Sequence, residues 1–100
     1  MEARALCIND RGRPTHIPKN KWVEKGKIYT VVYAVMVMPQ ERIAFHLAEI
    51  DLTEDHLPYE YFLSERFAFS EKGLIEVGEL IDFCLSTNPV VEQFLAEIQA

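Results

Sequence analysis

The chain has 100 residues, 49% of them hydrophobic and 26% charged, which is the profile of one globular domain and excludes a disordered or low-complexity polymer. A chain of this length buries roughly two-thirds of its unfolded surface, enough for about 5–10 kcal/mol of stability without a metal or a disulfide. Two cysteines, Cys7 and Cys84, exclude a disulfide framework, and a net charge of −6 is the wrong sign for a domain that lives on a polyanion.

The longest apolar run, Val31 to Pro39, is about half of what a bilayer demands. The opening Met1-Glu2-Ala3-Arg4-Ala5-Leu6 meets Asn9-Asp10-Arg11 before any signal-peptide core develops. A cytoplasmic, reduced protein is the expectation. The charge is also polarised. Residues 1–27 carry seven bases against three acids, net +4, whereas residues 28–100 carry three bases against thirteen acids, net −10. Such polarity serves self-association, an anionic partner at one end, or simple neighbour pairing after folding.

In chain order, Ala3 to Ile8 reads as a short strand closed by the turn chemistry of Asn9-Asp10-Arg11-Gly12. Arg13 to Lys27 is a basic loop, interrupted by Pro14 and Pro18 and anchored by Trp22-Val23. Ile28 to Met38 is dense in β-branched and aromatic residues, with no breaker before Pro39. Both of its alternating sets are apolar, so both faces of this strand need cover. Ile43 to Glu49 is a third strand whose phase slips near Ala48–Glu49. Thr53 to His56 is a charged loop. Pro58 to Leu63 is a short strand, Ser64-Glu65-Arg66 a single turn, and Phe67-Ala68-Phe69 a last strand.

The remainder is helical. Ser70 is the expected N-cap, with Phe69 stapling onto Leu74. Leu74, Val77, Leu80, Ile81 and Cys84 form the apolar face of a first helix. Asn88-Pro89 restarts a second helix, with Val90, Val91, Phe94, Leu95 and Ile98 as its apolar face. The expected architecture is mainly β: a small SH3-like five-stranded barrel over 1–70, then two amphipathic helices over 71–100. The helices pack either on the outer face of the long strand or on a second chain.

Trp22-Val23-Glu24-Lys25-Gly26-Lys27-Ile28-Tyr29-Thr30-Val31 looks like the turn-then-strand entry of SH3-like barrels, and Ser64-Glu65-Arg66-Phe67 looks like their terminal turn. With Leu6-Cys7-Ile8-Asn9-Asp10 and Leu47-Ala48-Glu49-Ile50, residues 1–70 resemble a family of small uncharacterised proteins from gut-type bacteria and their phages. That resemblance implies the fold and assigns no residue a role. The Ala-Leu-Tyr-Asp-Tyr type segment of peptide-binding SH3 domains is missing, so proline-peptide binding does not carry over.

Chemistry-bearing residues are scattered. His16, His46, His56, Cys7 and Cys84 lack zinc spacing, and no metal or cofactor is expected. Both cysteines sit in apolar patterns and read as core residues. The four glycines are isolated at 12, 26, 73 and 78, without a phosphate-cradling loop or a nucleophile elbow. Glu49, Asp51, Glu54 and Asp55 read as a solvated acidic stretch rather than an acid–base pair. The sequence therefore points to a non-enzymatic binding protein. Trp22, Tyr59 and Tyr61 are its candidate ligand contacts, on the expectation that they border a peptide groove. The alternative is nucleic-acid contact through Arg11, Arg13, Lys19, Lys21 and Lys25 beside Trp22. A further alternative is assembly through the C-terminal helices.

Overall fold

The structure is a computed structural model describing residues 2–39, 41–56 and 59–86, with the backbone of 90–92. β2 (Ile28–Met38) is its spine. β1 (Ala3–Cys7) lies antiparallel along one edge of β2, pairing with Ile28 to Val31. β3 (Arg42–Leu47) runs antiparallel along the other edge. β4 (Phe62–Leu63) extends the sheet from β3, and β5 (Phe67–Ala68) extends it from β1. The order is thus β4-β3-β2-β1-β5, and the two end strands do not pair, so the sheet stays open.

β2 explains its own double apolar pattern. Val31 stands opposite Leu47, but Tyr33 stands opposite His46, so β2 carries one extra residue at Val32. A bulge of this kind exchanges the two faces of a strand. Before it, Tyr29 and Val31 point into the main core; after it, Ala34 does. Val35 and Val37 face the opposite way and form a second, smaller buried cluster with Ala44 and Leu63. The slip expected near Ala48–Glu49 is a strand end: β3 stops at Leu47, which bridges back to Ile50. There the Ala48 N–H donates to the Thr30 carbonyl at 2.9 Å, and the Glu49 carboxylate accepts the Thr30 N–H at 2.9 and 3.1 Å.

The expected strand from Pro58 shrinks to Phe62–Leu63, because β3 offers pairing only at Ala44 and Phe45; Pro58 itself lies outside the described residues. The single turn at Ser64–Arg66 is a 3-10 turn, as its spacing suggests.

α1 (Glu71–Ser86) begins at the expected cap, where Ser70 Oγ accepts the Gly73 N–H at 3.1 Å. Phe69 does not staple onto Leu74. Its ring meets Phe45 edge-on at 6.2 Å, and Leu74 is left 61% exposed. The buried face of α1 is Gly73, Val77, Leu80 and Cys84, rotated so that Gly73 takes the place expected for Leu74. Gly73 is there because the helix approaches β1 closely: a Cβ would stand 3.0 Å from the Arg4 carbonyl oxygen.

α1 packs on β1 and β2 of its own chain. Its seat differs from the expected one. Val77, Leu80 and Cys84 join the same core as Ala3, Ala5, Val31 and Ala34, not the face that carries Val35 and Val37. The second helix is also corrected. Val90–Glu92 is a strand, β6, running parallel to Met36–Met38. β2 outruns β1 and leaves backbone groups unpaired along that edge, and β-branched Val90-Val91 suits the ladder better than a helix start. Asn88, Pro89, Phe94, Leu95 and Ile98 lie outside the described residues.

Candidate functional site

Trp22, Tyr59 and Tyr61 do not converge on one groove. Trp22 follows a 3-10 turn at Lys19–Lys21 and is only 5% exposed. Its Nε1–H donates to the Asp10 carbonyl at 2.8 Å, and its ring meets Phe62 edge-on at 5.3 Å. The Arg66 guanidinium lies 4.9 Å above the ring and donates to the carbonyls of Asn9 and Arg11 at 3.2 and 2.8 Å. Burial lowers the Arg66 pKa, while Cys7, Asp10 and Glu65 push it back up. The indole is thus the keystone between loop, β4 and the turn after it.

Tyr59 is half-buried at the margin of the main core, its ring 5.7 Å from that of His16. His16 Nε2 stands 3.3 Å from the His56 carbonyl, and buried His56 accepts the Thr53 N–H at Nδ1 over 2.9 Å. Tyr61 sits beside the second cluster with Leu63, on the face opposite Phe62. Burial raises its phenol pKa, helped by Glu60 and Tyr33.

The basic residues form no uniform positive surface. Arg11, Arg13, Lys19 and Lys25 are exposed and Lys21 is half-buried. Arg13 donates to the Ile17 carbonyl, and the Asn9 side chain accepts the Arg11 N–H at 3.0 Å. Asp10 receives the Lys25 N–H at 3.0 Å, which places an acid among the cations. Lys19 and Lys27 share a cleft of about 440 Å³ with Glu24 and Glu49. Acids are thus interspersed among the bases, and a phosphate backbone would meet mixed charge.

Both thiols are sequestered. Cys7 is 1% exposed, and burial is the first cause of a thiol pKa above its usual value. That is the reverse of an activated nucleophile. Cys84 is equally buried, inside the same core. Among the described residues, no three His, Cys, Asp or Glu side chains gather as a metal would require, and no helix is long and apolar enough to cross a membrane.

What the sequence reading missed lies on the outer face of β1, β2 and β5. Leu6 stands opposite Ile28 in one ladder and Ala68 in the other. Leu6 is 41% exposed and Ile28 59%. Together with Arg4 and Phe69 they line an open depression of about 370 Å³. Ile8, two residues on, is also exposed. The signal was present as a reversed alternation: β1 puts its small residues Ala3, Ala5 and Cys7 inward and its larger Leu6 outward. Comparison of the chain with family models, curated proteins and solved structures returned no match.

Proposed function

We propose that the chain is a non-enzymatic protein-interaction module, docking through the apolar strip of Leu6, Ile8 and Ile28 on the outer face of an SH3-like sheet. The observation that carries this reading is the pairing of Leu6 and Ile28: two large apolar side chains, adjacent across a ladder, both left in water. Burying what remains exposed of each against a partner is worth about 1 kcal/mol, a reason for a partner and a cost without one. The strand order β4-β3-β2-β1-β5, the long loop after β1 and the 3-10 turn before β5 support the SH3-like description, although the sheet is open and α1 contributes to its core. The buried thiols and the structural bonding of His16 and His56 support a non-catalytic role.

The test is affinity capture from source-cell lysate with the wild-type chain and with Ile28→Lys, each with and without nuclease. The expected result is a protein that survives nuclease and is lost with Ile28→Lys. Recovery of nucleic acid instead, released by about 0.2 M salt and indifferent to Ile28, would move the function to Arg11, Arg13, Lys19, Lys21 and Lys25.

A further inference from the structure

The cleft beside Trp22 gathers charged side chains of both signs that do not neutralise one another. Trp22, Tyr29 and Ile50 give it a buried, largely apolar floor, and its rim is exposed, with Lys19 and Lys27 set against Glu24 and Glu49. Among the described residues none of those four side chains takes part in an ion pair; the pair of Arg42 and Glu65 lies elsewhere. The turn from Glu24 to Lys27, closed by the Lys27 N–H donating to the Glu24 carbonyl at 3.1 Å, carries a carboxylate at one end and an ammonium at the other. Glu49 is already engaged, because its oxygens accept the Thr30 N–H. The Glu24 carboxylate accepts no hydrogen bond among the described residues. The Tyr29 hydroxyl accepts the Glu24 N–H at 2.8 Å, yet its own hydrogen has no acceptor among the described residues. Burial first, and then the charges of Cys7, Glu24 and Glu49, raise the phenol pKa against the pull of the Glu24 N–H, so the group stays a donor. A donor left unused over an apolar floor is a loss that a ligand's acceptor would recover.

We propose that this cleft binds a free α-amino acid with an apolar side chain. Its carboxylate sits between the Lys19 and Lys27 ammoniums and takes the Tyr29 hydroxyl hydrogen, its α-ammonium meets the Glu24 carboxylate, and its side chain rests on Trp22 and Ile50. A ligand of a single sign gains less, because it meets like charges on the same rim; a zwitterion meets an opposite charge at each end. The mixed charge that turns away a phosphate backbone is what a zwitterion requires. The volume, about 440 Å³, lies within the range of small-molecule sites, about 300–1,000 Å³. Leu6, Ile8 and Ile28 do not line this cleft, so the inference goes beyond the docking strip and does not depend on it.

Titration of the full chain with leucine, followed by amide chemical shifts in nuclear magnetic resonance, tests it. The expected result is a saturable shift at millimolar leucine, confined to the Lys19–Trp22 segment, the Glu24–Lys27 turn and Glu49–Ile50. Two analogues isolate the charges: isocaproate, which is leucine without its amino group, and isoamylamine, which is leucine without its carboxylate. Each should bind about tenfold more weakly than leucine, having lost one charge-assisted contact. Glu24→Gln should remove the preference for leucine over isocaproate and keep that over isoamylamine. The double variant Lys19→Gln, Lys27→Gln should do the reverse. All three positions are exposed, and circular dichroism checks that the variants fold. Isocaproate binding as well as leucine to the wild type would make the cleft an anion site, and isoamylamine doing so would make it a cation site; either overturns the proposal. So does the lack of a saturable shift in the cleft with leucine, phenylalanine and glycine alike.

Discussion

The loop between β1 and β2 and the helix α1 both supply side chains to one core, and they do so by opposite means. The loop has almost no regular structure, a single 3-10 turn at Lys19–Lys21, yet it is held by side-chain bonds to backbone. Asn9, Asp10 and Arg13 each contribute one and Arg66 two, and Ile17, Trp22 and Val23 are held inward. α1 satisfies its backbone internally, so its side chains are spared that work. Only one side of it is buried, and Leu74, Ile75 and Phe83 are left outside. An irregular segment thus becomes scaffold, and a regular one leaves large apolar side chains on the surface.

The strongest way to break that comparison is at Trp22. Trp22→Ala should cost about 3–5 kcal/mol, since it empties a core position and releases Arg66 from the ring. Urea titration would show the midpoint fall accordingly, with all segments unfolding together. A loss below about 1 kcal/mol would mean the loop is not scaffold. Arg66→Ala comes next, at about 2–4 kcal/mol, because two carbonyls lose a charged donor in a half-buried setting. A double-mutant cycle between Trp22 and Arg66 should show coupling of about 0.5–2 kcal/mol.

pH dependence sharpens the same contrast at Cys7. Its pKa is raised in the fold, chiefly by burial and further by Asp10. The unfolded chain releases that proton near pH 8.5, whereas the folded chain holds it. The contribution of Cys7 is therefore complete below about pH 8.5 and is lost as pH rises through the folded value. Tyr29, raised for the same first reason, adds a further loss above about pH 10. Urea midpoints should hold between neutral pH and about pH 8, then decline, and Cys7→Ala should remove the first part of the decline. An unchanged slope in that variant would assign the alkaline loss elsewhere.

The elements that could be read from sequence were those whose signal is local. Ile28–Met38 has its bounds written in β-branched residues ended by Pro39, and Ser70 announces a helix start in its own side chain. The illegible features depend on long-range pairing. Val90-Val91 follows Asn88-Pro89, the standard restart of a helix, but β2 outruns β1 and leaves an edge that takes those residues as a strand. The bulge at Val32 leaves no mark either, because apolar residues surround it on both sides, and it alone decides that Ala34, rather than Val35, joins the core of Tyr29 and Val31. For the site, aromatic side chains drew attention to Trp22, Tyr59 and Tyr61, but a large ring in a small domain is first a source of core. The exposed pair Leu6 and Ile28 emerges only once the ladder register is known.

The two glycines of α1 give the finest test, because they share an element and differ only in what faces them. In a helix, replacing glycine by alanine ordinarily stabilises by about 0.5–1 kcal/mol, through the backbone entropy removed from the unfolded chain. Gly78 has nothing within 4 Å of where its Cβ would stand, so Gly78→Ala should deliver that gain and raise the thermal midpoint by a few degrees. At Gly73 the new methyl would meet the Arg4 carbonyl at 3.0 Å and Ser70 Oγ at 3.2 Å, and the first of these is sheet backbone that cannot swing aside. Gly73→Ala should therefore destabilise, by roughly 1 kcal/mol, by prising the first turn of α1 from β1 and loosening the Ser70 cap. Opposite signs at the two positions would fix α1 on β1 at the contact distance described. Equal gains would mean that the helix stands off from the sheet.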